Sequence, residues 1–436
     1  MCWLGWATCL GLVGVLPRAG CPCCVRTVVI FSWHGRLARG WAANHGQDAR
    51  ATMSPEPRGF LVAVESGPIQ TLLQEFANYR AKIPAIARKP LRQLHLGGGT
   101  PTFLSAQNLG RMIREILKNV VIEPDQFAAS VEVDPRRTSP EQLKVLFDLG
   151  FTRVSMGVQD FDPEVQRLVN RVQPFAETSN LTQAARTMGY TSVNFDLIYG
   201  LPKQNLESFK YSIEQTIQLR PDRIALYSFA LVPWIKPQQR LFKDEDLPQG
   251  AAKRALYEAA YTRLIDAGYI EIGMDHFALP TDSLAQGLHE RTLHRNFMGY
   301  TEMRTDVLLG LGVSSISETT ECFHQNEKVL PLFEKKVRAG EIATLRGHLL
   351  DLDDQAQRLQ ILNFMTQGQV QLRDPEQVLD VRNFLSDMIT DGLVEIEGDW
   401  LKITTLGRPF LRNACVVLDH RLRKQKPDTR VFSQAL

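Results

Sequence analysis

The stretch Leu91-Arg-Gln-Leu-His-Leu-Gly-Gly-Gly-Thr-Pro-Thr102 decides the fold of this chain. An apolar run of strand character ends in three consecutive glycines, and a segment of helical character follows. Because glycine has no Cβ, the backbone at Gly97, Gly98 and Gly99 can approach a ligand closely. Ligands of α/β proteins bind beyond the carboxyl ends of the strands. A tight turn explains the stretch equally well by itself, but similar strand ends farther along the chain favour a ligand site.

Strand-like and helix-like segments alternate from about residue 68 onward. Strands are predicted at 91–96, 128–133, 152–158, 192–198, 223–229 and 269–274. Helices are predicted at 105–118, 139–149, 176–188, 204–219 and 249–267. Parallel strands that are joined by helical crossovers form a barrel or an open sheet. The predicted fold class is therefore α/β, with fewer strands than a complete eight-stranded barrel unless the N-terminal segment hides another unit.

The pattern divides the chain into three parts. Residues 1–66 are atypical, and their stretch 33–58 has no helix or strand period, so we expect this part to be disordered or mistranslated. Residues 67–338 carry the βα units, and residues 339–436 form a helical domain. A hairpin predicted at Val394–Thr404 gives that domain a winged-helix character. Near-neutral charge favours a packing module or substrate lid over a DNA-binding wing.

Composition excludes several functional classes. Lys and Arg total 50, Asp and Glu total 48, and no basic stripe alternates with aromatic residues, so we expect no nucleic-acid partner. The seven irregularly spaced cysteines argue against a disulfide framework and for a reducing compartment, which predicts a cytoplasmic protein without a membrane partner. We find no nucleophile elbow, P-loop lysine motif or zincin helix.

Three polar side chains interrupt otherwise apolar strands near their carboxyl ends. They are Glu132, Gln159 and Asp196. Burying a carboxylate is costly unless it is paired or bound to a ligand. A salt-bridge network with Arg153 or Arg171 is one explanation. Their equivalent positions on successive strands favour a common ligand pocket.

Eight strings, in one fixed order, carry a resemblance to a known family. They are HLGGGTPTFL, SVEVDP, VSMGVQDF, VQRLVNR, NFDLIYGLPKQ, GMDHFALP, LHRNFMGYT and GLGVSSIS. From about Gly67 to the C-terminus, the chain resembles the oxygen-independent coproporphyrinogen III oxidases, a family of radical S-adenosylmethionine (SAM) enzymes. A related family of haem-trafficking proteins shares the barrel, but it differs at GMDHFALP and LHRNFMGYT.

The resemblance implies a partial (β/α)6 TIM-like radical SAM barrel and a helical, winged-helix-like C-terminal domain. It also implies that two SAM molecules bind in the barrel mouth. The first is expected to contact Gly98, Glu132 and Ile316. The expected contacts of the second are Gly99, Thr100, Gln159, Arg171, Asp196 and Ala230.

The implied reaction is the oxidative decarboxylation of two propionates of coproporphyrinogen III to vinyl groups, which gives protoporphyrinogen IX in haem biosynthesis. Flavodoxin or ferredoxin is the expected electron donor, and we expect a monomer. The residue types suit this chemistry. Glu132 and Asp196 can accept from hydroxyl or ammonium groups, and Arg171 can pair with a carboxylate. The cofactor carries the difficult chemistry, and no residue is assigned as a proton donor.

One departure from the family concerns the cysteines that bind its iron–sulfur cluster. The family carries CxxxCxxC, followed closely by another cysteine, and these thiolates hold a [4Fe–4S] cluster. Extrapolation from the matched strings puts that loop near residues 45–58, where this chain has no cysteine. The string CPCC at residues 21–24 has the wrong spacing for one cluster, so no metal ligand is predicted.

Three explanations are open for this departure. A mistranslated N-terminus is favoured, and a decayed gene or a non-catalytic relative that binds SAM or a tetrapyrrole are the others. The chain as printed is expected to be inactive as an oxidase.

Overall fold

The computed structural model describes residues 27–32, 58–98, 100–231, 239 and 242–424. These residues form a 13-stranded mixed sheet, a two-stranded sheet and a three-stranded sheet, together with the helices that cover them. We found no helix in the described ranges with the length and apolar character that a membrane span requires.

The strands, in chain order, are β1 (Thr27–Ser32), β2 (Pro90–Gly97), β3 (Val121–Ile122), β4 (Ala128–Val133), β5 (Phe151–Gln159), β6 (Ser192–Tyr199), β7 (Arg223–Ser228), β8 (Ile270–Gly273), β9 (His276–Ala278), β10 (His294–Asn296), β11 (Gly299–Thr301), β12 (Val307–Leu311), β13 (Ile316–Thr319), β14 (Cys322–Asn326), β15 (Thr344–Leu349), β16 (Gln369–Gln371), β17 (Val394–Glu397) and β18 (Trp400–Ile403). The helices are α1 (Arg58–Lys82), α2 (Pro84–Arg88), α3 (Ala106–Leu117), α4 (Pro140–Asp148), α5 (Pro163–Leu168), α6 (Phe175–Met188), α7 (Leu206–Leu219), α8 (Gly250–Asp266), α9 (Ser283–His289), α10 (Leu330–Arg338), α11 (Leu352–Gln367), α12 (Pro375–Phe384), α13 (Ser386–Thr390), α14 (Leu411–Cys415) and α15 (His420–Lys424).

The centre of the large sheet is parallel. Its order is β12-β1-β2-β4-β5-β6-β7, and every neighbouring pair in this run is parallel. Antiparallel strands extend both sides, β13-β14-β15 beyond β12 and β9-β8 beyond β7. The described strands therefore end in two edges, β15 and β8, and the sheet is a partial barrel.

Local sequence signals account for most of these elements. The five predicted helices and the first five predicted strands are confirmed. Ser105 caps α3 by accepting from the Asn108 amide, and Ser139 opens α4 with a capping box and a proline at the first helical position. The predicted hairpin near residues 394–404 is β17-β18.

Two predictions of the strand pattern need correction. The segment predicted as a strand at 269–274 is β8, which is antiparallel to β9 at the sheet edge. The chain reverses at Asp275, whose φ is +63°, and returns as β9 beside β7. The additional parallel strand is β1, which lies between β12 and β2. It falls inside the stretch 1–66, for which no strand was predicted.

The boundary of the C-terminal domain also moves. The strand β15 still pairs with β14, although the predicted domain division lay at residues 338 and 339. A separate apolar core then forms around Phe364, Val381, Leu401 and Cys415, where helices pack on the three-stranded sheet β16-β18-β17. We therefore propose that the second domain begins near residue 350.

Candidate active site

The parallel strands have two faces of opposite character. Alternate residues such as Leu94, Val131, Phe195 and Leu226 are fully buried in the main apolar core. Residues between them lie in register with one another on the other face, because side chains alternate along a strand. The polar face carries His95, Ser130, Glu132, Ser155, Asn194, Asp196 and Tyr227. These side chains are partly accessible, so the polar face lines a groove whose mouth is at the carboxyl ends of the strands.

The glycine turn after β2 is fitted around a carboxylate from β4. The Gly98 amide donates to Glu132 Oε2 at 3.1 Å, and Gly98 has a φ of +81°. His95 lies behind it, with Nδ1 2.8 Å from Ser130 Oγ and Nε2 3.4 Å from Glu132 Oε1. A Cβ on Gly97 would collide with His95 Nε2 and would lie 2.9 Å from the Glu132 carboxyl group. At Gly97 the missing Cβ therefore gives room to the two side chains beside it, and close approach to a ligand stays a prediction.

Asp196 is the most strongly perturbed acid of the mouth. Ser155 Oγ donates to Asp196 Oδ2 at 3.2 Å, and Asn194 Nδ2 donates to Asp196 Oδ1 at 2.9 Å. Burial raises the pKa of Asp196 to about 7, the negative charge of Glu132 adds to the increase, and the two hydrogen bonds oppose it. A carboxyl group with such a pKa can hold or release a proton near neutral pH.

Gln159 and Arg171 meet at the end of β5. Gln159 has a φ of +71°, and Arg171 Nη2 donates to the Gly157 carbonyl at 2.5 Å. A Cβ on Gly157 would lie 3.1 Å from both Gln159 Nε2 and Arg171 Nη2. Arg171 Nη1 is also 3.5 Å from Asp134 Oδ2. The glycine therefore lets two polar side chains fold over the strand end.

The remaining predicted positions follow the same sheet edge. Thr100 precedes a short turn and accepts the Phe103 amide at 2.9 Å, and the Ala230 carbonyl follows β7. Ile316 begins β13 directly after the turn that follows β12, where a Cβ on Gly310 would collide with the Ile316 carbonyl. Gly99 lies outside the described residues.

The salt-bridge explanation fails for the carboxylates that it was meant to explain. Arg153 pairs with Glu302, with Nη1 2.8 Å from Oε1. Arg171 pairs with Asp134. Burial alone would raise the pKa of Asp134, but hydrogen bonds from Arg136 and the charge of Arg171 outweigh this effect and hold the pKa below its usual range. In the part of the chain that is described, Glu132 and Asp196 have no arginine or lysine within ion-pair distance. Their side chains therefore remain free to bind a ligand.

Several polar-face residues were not assigned to the site by the sequence analysis. His95, Ser155 and Asn194 orient the two acids, and Tyr227 lies at the end of β7. For His95, Ser155 and Asn194 the signal was the period of two, because each stands two residues, or one register pair, from Gly97, Glu132 or Asp196. His276 extends this face past β7, with its ring edge-on to Tyr227 at 5.9 Å.

The described residues offer no cluster site. They contain no group of three or more His, Cys, Asp or Glu side chains suited to a metal ion. Cys322 is partly buried on β14, and Cys415 lies in the core of the C-terminal domain, where burial raises the pKa of its thiol to about 12. Neither cysteine is a ready thiolate ligand. The five other cysteines of the sequence precede the described strand β1.

The fold and the mouth define the class of the protein. Residues 66–216 match the Radical SAM superfamily, and the polar mouth at the carboxyl edge of a partial parallel barrel agrees with that match. The chain belongs, within that class, to the family of oxygen-independent coproporphyrinogen III oxidases. It is 39% identical to the Escherichia coli enzyme of that name over 364 residues, which are 81% of this chain and 79% of that protein.

Other relatives agree with this assignment. The enzyme of the same name from Pseudomonas aeruginosa is 37% identical and aligns over 76% of this chain and 74% of its own length. The solved structure of coproporphyrinogen III oxidase (HemN) from Escherichia coli, a radical SAM enzyme, superimposes with a TM-score of 0.80 and 34% identity. That superposition covers 91% of this chain and 90% of the other.

Proposed function

We propose that this chain serves the oxidative decarboxylation of coproporphyrinogen III to protoporphyrinogen IX in haem biosynthesis. The relatives that carry this activity in their names align over about four-fifths of the chain. In the net reaction, each of two propionate side chains becomes a vinyl group and loses carbon dioxide, one proton and two electrons. We also propose a cytoplasmic monomer that receives electrons from flavodoxin or ferredoxin.

Two SAM molecules are proposed to share the mouth. The strand positions support part of this division, because Ile316 at the start of β13, Gly98 after β2 and Glu132 on β4 lie on one side of β5. Of the second set, Gln159 ends β5, Asp196 lies on β6 and Ala230 follows β7. Thr100 of the same set follows β2, beside the first set. The acids would accept from ribose hydroxyl or ammonium groups, and Arg171 and Thr100 would complete the second set.

The observation that carries the proposal is the meeting of Glu132 and Asp196 on one polar face. Asp196→Ala and Gln159→Ala are expected to weaken SAM binding by roughly tenfold or more. Each is expected to lower the Tm of the full chain only slightly. Isothermal titration with SAM and thermal unfolding measure the two effects. If both variants mainly lower the Tm and bind SAM normally, the side chains are structural.

A second candidate function follows from the cysteine positions. The sequence has no cysteine between Cys24 and Cys322, and the described residues do not fit a [4Fe–4S] cluster. We therefore propose that the chain as printed binds SAM or a tetrapyrrole without turnover. Anaerobic reconstitution, iron and sulfide analysis and an assay for 5′-deoxyadenosine test this. If the chain binds a stoichiometric cluster and cleaves SAM, this second candidate is wrong and the oxidase activity is the function of the chain.

A further inference from the structure

Arg295 is a guanidinium group without a partner beside the mouth. Its Nη1 atom is buried and has no hydrogen-bond partner in the described part of the chain, where Arg295 also forms no ion pair. By contrast, Arg153 and Arg412 pair with Glu302 and Asp275 at 2.8 and 2.9 Å. Arg153 and Arg412 also have one buried nitrogen without a partner, but each pairs with an acid, so the absence of an ion pair at Arg295 is what requires an explanation.

A fixed aromatic platform holds Arg295 in place. Its guanidinium carbon lies 4.7 Å from the centre of the Tyr300 ring, which partly compensates its charge. The Tyr300 hydroxyl donates to the Met365 carbonyl at 3.1 Å and accepts from the Met274 amide at 3.2 Å. The ring is thereby fixed to both the β8-β9 turn and α11, so Arg295 is held in one orientation before any ligand arrives.

A row of rings connects this platform to the polar face. The Tyr300 ring meets His276 edge-on at 5.5 Å, and His276 meets Tyr227 edge-on at 5.9 Å. Burial raises the pKa of the Tyr227 phenol, the charge of Asp196 adds to the increase, and the charge of Arg295 opposes it. Tyr227 therefore lies within electrostatic reach of both Asp196 and Arg295.

The neighbouring groups leave the charge of Arg295 uncompensated. Burial lowers the pKa of His276 to about 4, and its Nδ1 donates to the Met274 carbonyl at 2.6 Å, so the imidazole is neutral at pH 7. Asp275 is held by Arg412. Tyrosine and histidine rings provide an aromatic surface beside a cation, which suits a molecule of pyrrole rings with carboxylate groups at its rim.

We propose that Arg295 binds a carboxylate of the ligand in the mouth, either a propionate of the tetrapyrrole or the amino-acid carboxylate of SAM. This inference rests on the proposed function, since it names an anchoring residue within the same site. Arginine suits the role because its planar fork pairs bidentately with a carboxylate.

The test compares a charged and an uncharged porphyrin on the full chain. Coproporphyrin III and its tetramethyl ester are titrated by fluorescence in one detergent buffer, and SAM is titrated by calorimetry. We expect Arg295→Gln to weaken binding of the free acid by roughly 10- to 100-fold and to leave the ester unchanged. Arg295→Lys keeps the charge but loses the fork, and we expect an intermediate loss.

Arg254→Gln is the matched control. The Arg254 guanidinium also stacks on an aromatic ring, 5.3 Å from the centre of Phe410, but it lies on α8 and pairs with Glu258. We expect this variant to bind both porphyrins and SAM like the wild type. The Tm of each variant separates lost binding from lost folding, and Arg295→Lys keeps the test valid if Arg295→Gln does not fold.

The outcomes distinguish the two proposals. Selective loss of the free acid assigns a propionate to Arg295, and selective loss of SAM assigns the amino-acid carboxylate. If the wild type binds these ligands and both Arg295 variants retain full affinity for all of them, the inference is wrong while the proposed function stands. If the wild type binds neither SAM nor coproporphyrin III, the proposed function fails and this inference fails with it.

Discussion

The two faces of the parallel strands are built from alternate residues of the same segments, yet they have different tasks. On the apolar face, Leu94 and Phe195 are fully buried against the covering helices. On the polar face, His95 and Asp196 lie one position away and orient groups toward the mouth. The difference shows that stability and ligand binding can be perturbed separately in a single strand, because the side-chain period is two.

The largest expected effect comes from the apolar face. Phe195→Ala removes a fully buried aromatic side chain and leaves a cavity, so we expect the free energy of unfolding to fall by about 3–5 kcal/mol. Urea denaturation measures this loss. Asp196→Asn, the neighbouring residue on the polar face, conserves volume and is expected to lower the free energy of unfolding by no more than about 1 kcal/mol. Similar losses in both variants would remove the distinction between the faces.

The pH dependence of stability sharpens the comparison. The pKa of Asp196 is about 7 in the folded protein, whereas an unfolded chain has an ordinary aspartate. As the pH rises from 4 toward 7, the unfolded chain releases this proton while the folded protein keeps it. The Asp196 contribution therefore lowers the free energy of unfolding as the pH rises, by about 4 kcal/mol in total, and becomes constant above the folded pKa.

Asp196→Asn cannot titrate and is expected to lack that decline. Urea denaturation of both proteins at pH 5 and pH 8 gives the difference directly. His95 and Glu132 also face this group and remain in both proteins. Parallel pH curves for the two proteins would show that Asp196 titrates normally.

Local patterns were sufficient for most of the sheet and its helices. The strands β2, β4, β5, β6 and β7 and their crossover helices follow from period and capping signals, which act within a few residues. The reversal at Asp275 could not be predicted, because a left-handed backbone in an aspartate depends on its surroundings. The strand β1 was missed because its flanking sequence has no period that would place it in the sheet.

The mouth was predictable in part for the same reason. Glu132 and Asp196 stand out as charges inside apolar runs, and strand order alone brings them to one edge. Their partners depend on strand pairing: His95 reaches Glu132 from the neighbouring strand, and Arg295 faces Tyr300 across a hairpin. Such contacts are set by register and packing, which a single sequence does not show.

The smallest expected effect tests the glycine turn that joins the two faces. In Gly97→Ala, the new methyl group would collide with His95 Nε2 and would lie 2.9 Å from the Glu132 carboxyl group. Both side chains must then move, and Glu132 leaves the orientation that the Gly98 amide now fixes. We expect SAM affinity to fall by about 1 kcal/mol, or roughly fivefold in Kd, measured by isothermal titration.

Gly67→Ala is the matched control for this turn. Gly67 lies within α1, and a Cβ there would have no neighbour within 4 Å. Alanine favours a helix over glycine, so we expect this variant to be slightly more stable and to bind SAM normally. Normal SAM affinity in Gly97→Ala would mean that the turn tolerates a side chain and that Glu132 needs no fixed neighbour. Weaker SAM binding in Gly97→Ala, with normal binding in Gly67→Ala, would show that Gly97 is needed for the position of Glu132 on the neighbouring strand.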